Sequence, residues 1–218
     1  MKFKNVDKKS LFLVVISVIL MGLSLSFINQ TNFGTDPCTL FNLGMAAKLG
    51  LSLGNWQAIF NCILLVIVFI YDRKQIGWGT IVNMFLVGYS FDFFTWVNSL
   101  WIPVDFYSSL VVRICVIIPA LFIFVVAAST YIAVQLGTGP YDAVPFILAA
   151  KLHKVSFKVV RISWDLTVSL LGFLLGSTIG PVTIVMAFAL GPVISWIRVH
   201  VIERILHTEE KKDSPSFS

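Results

Sequence analysis

Leu11 to Ile28 is eighteen residues without one charge, and it is the first of six long apolar stretches in a chain of 218 residues. A hydrocarbon core about 30 Å thick is crossed by about 20 residues of helix, so stretches of this length leave few folds open. The others lie near Trp56–Tyr71, Trp78–Trp96, Leu110–Val134, Val159–Gly176 and Val182–Val199. Charge confirms the class: 12% of residues are Asp, Glu, Lys or Arg, against about 25% in a soluble domain that must coat a watery surface. The fold class is therefore all-α, a polytopic membrane protein whose main partner is the lipid bilayer. The net charge of +5 needs no nucleic acid, because basic residues flank the spans as the positive-inside rule describes. Lys2, Lys4, Lys8 and Lys9 precede the first stretch, whose exit SLSFINQTNFG lacks a small-x-small cleavage pattern. It reads as an uncleaved first span.

Two shorter apolar segments, Pro37–Leu49 and Pro140–Leu152, have about 13 residues each. At 1.5 Å per residue they reach only about 20 Å, the length of re-entrant or buried helices. Both follow the same break, NFGTDP at 32–37 and QLGTGP at 135–140. A shift of 103 positions lays NFGTDPCTLFNLGMAAKL over QLGTGPYDAVPFILAAKL with seven identities in 18 positions. The same shift lays GWGTIVNMFLVGYSFDF (77–93) over GPVTIVMAFALGPVISW (180–196) with six in 17. Between the blocks a slip of one residue sets Gln57 over Arg161 and Asn61 over Asp165. The chain thus reads as two tandem homologous halves, each one long span, a Gly-Thr-x-Pro break with a short helix, and two further spans. The expected division is a first membrane repeat at 1–97, an inter-repeat loop at 98–109, a second repeat at 110–204 and a charged, disordered tail at 205–218.

The basic residues place the N-terminus, and with it the C-terminus, in the cytoplasm of a cell-membrane protein. If the short helices do not cross, Arg73, Lys74, Lys151, Lys154 and Lys158 are also cytoplasmic and the halves are inverted. If they cross, Lys48 and Arg113 exchange sides with Arg73 and Lys74 and the halves are parallel. Helix length favours the first arrangement.

Polar chemistry inside the apolar region is sparse. No HExxH, GxSxG or His/Cys cluster is present, so no enzyme, metal site or cofactor is expected. Cys38, Cys62 and Cys115 are scattered and read as packing residues. The candidate ligand-binding residues are Gly34, Thr35 and Asp36 at the first break, Gly137, Thr138 and Asp142 at the second, and Asn61, Arg161 and Asp165 in the spans. Each has a structural reading beside it. Asp36 before Pro37 is a helix N-cap, with Gly139 in that role before Pro140. Asp142 falls in the first turn, where the helix dipole favours a carboxylate. Arg161 and Asp165, four apart, can pair on one helix. Free N–H groups at a broken helix suit an anion, whereas Asp36 and Asp142 suit a proton or cation; both signs remain open at this point. Asp92 lies near a span end and is expected to reach the interface. Gly77, Gly79, Gly88, Gly180 and Gly191 are expected to let helices approach closely, and Trp78, Trp96, Trp101 and Trp196 to sit at the interfaces.

The segments FGTDPCTLFNLGMAAKLGLSLGNWQAIFNCIL and GWGTIVNMFLVGYSFDFF, with their degenerate second copy, resemble the bacterial YczE/YyaS/YitT group of multipass membrane proteins. The resemblance covers most of residues 11–199 and implies a location and an architecture more than a reaction. In the second copy Gly139 replaces Asp36 and Met186 replaces Asn83, which counts against a role that needs two equivalent acidic or amide sites.

Inverted or tandem repeats with interrupted helices are typical of secondary transporters. The functional expectation is a small-molecule or ion transporter with its site between the repeats. The alternative is a non-transporting accessory or regulatory membrane protein that assembles with a protein partner or with copies of itself.

Overall fold

The structure, a computed structural model, describes residues 6–152 and 154–205. Lys2, Lys4, His153 and, apart from Ile205, the tail expected to be disordered lie outside the described residues. Among those described the regular elements are all helical: α1 (Lys8–Gln30), α2 (Pro37–Leu49), α3 (Leu53–Tyr71), α4 (Trp78–Trp101), α5 (Leu110–Ala133), α6 (Pro140–Lys151), α7 (Phe157–Leu174) and α8 (Pro181–Ile197). A π turn, Arg198–Ile202, prolongs α8.

Local chemistry sets the helix starts. Asp7 caps α1 through Ser10 N, and Ser52 caps α3 through Asn55 N. Asp36 caps α2 by accepting from Thr39 N at 3.1 Å, with Pro37 at the first helical position. Gly139 and Pro140 open α6 in the same way, though without a side-chain cap. Five helices are long and apolar enough to cross a membrane: α1, α3, α4, α5, and α8 with its continuation to Ile205. The expected sixth span, α7, has 18 residues, about 27 Å of helix, but carries Lys158, Arg161 and Asp165. Helix α4 continues to Trp101, four residues into the polar stretch read as a loop. Asn98 there is buried and donates to Ser26 Oγ, which explains the extension.

The outer surface suits lipid. Phe12, Ile70, Val111, Phe122 and Leu174 are each more than 60% exposed on the helix flanks, a burden of apolar surface that a soluble protein does not carry. Trp96 and Trp101 are exposed near the end of α4, as interface aromatics are. Inside, α1 is the core helix. Val14, Val18, Leu25 and Ile28 pack with Val87 and Phe91 of α4, Ile117 and Phe124 of α5, and Val182 and Met186 of α8.

Contacts fix the helix directions. Gly22 of α1 lies against Val87–Phe91 and Ser26 meets Asn98, so α1 and α4 run the same way. The end of α5 meets the start of α4, with Gly79 N donating to Leu136 O at 2.8 Å. The end of α1 meets the start of α8, with Val182 N donating to Phe33 O at 3.0 Å. Helices α5 and α8 therefore oppose α1 and α4. Helix α2 ends where α1 ends: Leu43, Gly44 and Ala47 line one cavity with Asn29 and Asn32. Helix α6 ends where α5 ends, with Lys151 Nζ 3.5 Å from the ring centre of Tyr71 at the end of α3. Each short helix thus returns to the face from which its break entered. This is the non-crossing arrangement, with the two breaks entering from opposite faces.

One packing expectation changes. Gly191 has open space beside it, so it supports no close helix contact. Asp92 has a structural task as well: its carboxylate accepts from Gly54 N at 2.8 Å and caps α3 from α4. Asp92→Leu is expected to cost about 1–2 kcal/mol, the worth of a helix cap. Thermal unfolding in detergent checks this, with Asp92→Asn retaining most of the stability.

Candidate functional site

The breaks are built alike and dock alike. Asn32 and Gln135 both have φ of 55°, and Gly34 and Gly137 follow at 86° and 122°. These left-handed backbones let the chain turn inward after a span, and at the two glycines they favour a residue without Cβ. Close approach demands glycine as well. A Cβ on Gly34 would stand 2.7 Å from Gly180 N at the start of α8, and one on Gly137 would stand 2.7 Å from Gly77 N at the start of α4. Thr183 and Thr80 serve these junctions: Thr35 N donates to Thr183 Oγ1 (3.2 Å), and Gly77 N donates to Thr80 Oγ1 (3.0 Å). Gly34, Thr35, Gly137 and Thr138 are therefore latch residues that hold each break on the opposite half.

The latches differ in one respect. Thr138 donates from its backbone N to the Gln75 carbonyl and from its hydroxyl to Gln75 Oε1, both at 2.9 Å. The residue 103 positions after Gln75 is Thr178, whose shorter side chain lines a cavity of about 290 Å³ with Asn29, Asn32, Thr35 and Ser177. The second break is plugged, and the first borders a cavity.

Behind the latches the charged candidates converge. Arg161 donates from Nη1 to Asp142 Oδ1 (2.8 Å) and from Nε to Asp165 Oδ2 (2.9 Å), while Tyr141 OH donates to Asp165 Oδ1 (2.7 Å). The expected pair of Arg161 and Asp165 is thus one side of a trio that joins the start of α6 to α7. Asp36 is 8% exposed. It accepts from Thr39 N and from Thr35 Oγ1 (3.4 Å), and is near enough to Asp142 for their charges to interact. Cys38, the second residue of α2, lies within the electrostatic reach of Asp36, Asp142, Arg161 and Asp165. The cluster holds three carboxylates to one guanidinium: Arg161 pairs with Asp142 and Asp165, and Asp36 has no basic partner within ion-pair reach among the described residues.

Asn61 stands apart from this group. Its Nδ2 donates to Met84 O (3.2 Å) and ties α3 to α4. Tyr141, Cys38, Gln75, Thr80 and Thr183 escaped the sequence reading. Cys38 and Tyr141 occupy equivalent repeat positions, and Gly77/Thr80 and Gly180/Thr183 are identities within the second aligned block; those coincidences were the available signal.

The arrangement also selects a sign. Thr35 N, Thr39 N and Thr138 N, the kind of donors an anion would need, are spent on Thr183, Asp36 and Gln75. A center richer in carboxylates than in cations suits positive charge.

Fold and cluster together define an all-helical multipass membrane protein with two broken helices meeting at buried charge. Within that class, the chain belongs to the family of unknown function DUF6198, whose profile matches residues 8–199. It is 24% identical over 204 residues to an uncharacterized protein of Haemophilus influenzae, covering 94% of this chain and 89% of the relative. It is 24% identical over 191 residues to the uncharacterized membrane protein YczE of Bacillus subtilis (88% and 85% covered). The uncharacterized protein YyaS of the same organism is 22% identical over 193 residues (87% and 92% covered). No solved structure matches the chain.

Proposed function

We propose that the protein carries a small cationic solute or ion across the cell membrane, through the cluster at the starts of α2 and α6. The observation that carries this reading is Asp36, a carboxylate 8% exposed and without a basic partner among the described residues. An ionizable group placed within the membrane is costly and serves a pathway more often than a scaffold. The cavity beside Thr35 supplies an approach from the face away from the termini, and the plug at Gln75 closes the other approach. Discontinuous helices meeting between oppositely directed halves are the arrangement that alternating-access carriers use. The basic residues support the orientation. Lys8, Lys9, Arg73, Lys74, Lys151, Lys154 and Lys158 lie toward the face of the termini, which the positive-inside rule assigns to the cytoplasm.

Uptake into proteoliposomes tests the proposal, with a panel of protons, alkali cations and small alkylammonium ions. The wild-type protein is expected to move at least one of these. Asp36→Asn keeps the helix cap, since asparagine caps as well as aspartate, yet removes the charge; transport should fall at least tenfold while the protein stays folded. A protein that moves no member of the panel, or an Asp36→Asn variant as active as the wild type, would contradict it and leave the accessory reading standing.

A further inference from the structure

A second cavity, of about 470 Å³, opens on the face away from the termini, between the ends of α1 and α4 and the turn leading to α5. Its lining includes one charge of each sign, Arg113 and Asp105, together with Thr95, Asn98 and Tyr107. Asn29 and Asn32 separate it from the cavity beside the first break, whose lining they also join.

Three features mark it as built rather than incidental. Arg113 Nε donates to the Tyr107 carbonyl, which fixes the guanidinium on the cavity wall and leaves its Nη donors without a protein partner among the described residues. The two charges share one space without pairing with each other. Tyr107 is 9% exposed, and its hydroxyl, like that of Thr95, finds no hydrogen-bond partner among the described residues. Burial pushes the Tyr107 hydroxyl above its ordinary titration range, so it remains a donor.

Depth narrows the ligand further. Trp96 and Trp101, 59% and 82% exposed, stand on the same turns of α4 as Thr95, Asn98 and Ser99. Such aromatics mark the headgroup layer.

We infer that this cavity is a site for a small zwitterion, with its phosphate or carboxylate held by Arg113 and its ammonium held by Asp105. The inference is independent of the transport reading, because none of these residues belongs to the Asp36–Arg161 cluster. The same chemistry has two sources, an ethanolamine phospholipid headgroup or a free amino-acid-like zwitterion in solution.

Binding to the purified full-length protein separates them. The probes are dihexanoyl phosphatidylethanolamine, free phosphoethanolamine and glycine, with dihexanoyl phosphatidylglycerol as the anion-only control. At least one zwitterion is expected to bind tenfold or more tightly than phosphatidylglycerol. Arg113→Gln and Asp105→Asn should each weaken it about tenfold or more, as loss of a charge-assisted bond does. Preference for the lipid assigns a headgroup site; preference for glycine or phosphoethanolamine over the lipid assigns a solute site. Asp105 is exposed, so its substitution leaves the fold intact and carries the test even if Arg113→Gln misfolds. The inference is overturned if no zwitterion exceeds phosphatidylglycerol, or if a folded Asp105→Asn protein binds unchanged.

Discussion

Arg161→Leu is expected to destabilize the protein by about 1–3 kcal/mol, less than for a fully buried ion network because Asp142 is 38% exposed while Asp165 is buried. The substitution leaves Asp142 and Asp165 facing each other without a cation, and only the Tyr141 hydroxyl still bonded to Asp165. Arg161→Lys keeps the charge but cannot reproduce the fork that reaches both carboxylates, so an intermediate loss follows. The sharper check is rescue. Replacing the whole set together, Arg161→Leu with Asp165→Asn and Asp142→Asn, should recover much of the stability, because an uncharged set avoids the desolvation of ions while an amide oxygen can still accept from Tyr141 OH. Thermal unfolding in detergent, read by monodispersity, measures all three. If Arg161→Leu alone is harmless, the three groups are not a buried network and the site as described does not exist.

The latch glycines give the second large effect. Gly34→Ala and Gly137→Ala are each expected to cost about 2–4 kcal/mol. About 1–2 of this comes from placing an L-residue at positive φ, and the remainder from a shift forced on neighboring backbone. The backbone in question is the start of the opposite half's last helix, Gly180 N or Gly77 N, which is no flexible side chain that could swing away. Gly191→Ala is the control. It lies in α8 with nothing within 4 Å of the added methyl, so stability should hold or rise slightly. A chain in which all three substitutions behave alike would have no latches.

How far the sequence disclosed this structure depended on whether the signal was local. Helix α2 begins at Pro37 and ends at Leu49 as read, because Asp36, Pro37 and Gly50 are punctuation that works within a few residues. Five of the six expected spans were legible because hydrocarbon thickness dictates their length; the sixth, α7, is not among the helices long and apolar enough to cross. Asp36, Asp142, Arg161 and Asp165 were legible as candidates because charge in an apolar stretch stands out. Their convergence was not, since it depends on how α2 and α6 fold back between α3 and α7. The same limit hid the work of Asp92, whose partner Gly54 lies 38 residues away. Asn61 was drawn into the candidate site by its alignment with Asp165, yet it binds the α4 backbone; equivalent positions in two repeats need not share a task once one side chain is neutral. Gln75 and Thr178 make the same point. Equivalent by position, one plugs a latch and the other lines a cavity.

The central claim is that the two broken helices enter from opposite faces of the membrane and stop where their starts meet. Lys48 and Lys151, equivalent in the two copies and both exposed, sit at the outer ends of α2 and α6. After Cys38, Cys62 and Cys115 are replaced, single cysteines at these two positions can be labeled in sealed vesicles of known orientation with an impermeant maleimide. The account predicts labeling of Lys151→Cys only from the face that carries the termini, and of Lys48→Cys only from the other. Labeling of both from one face would contradict it.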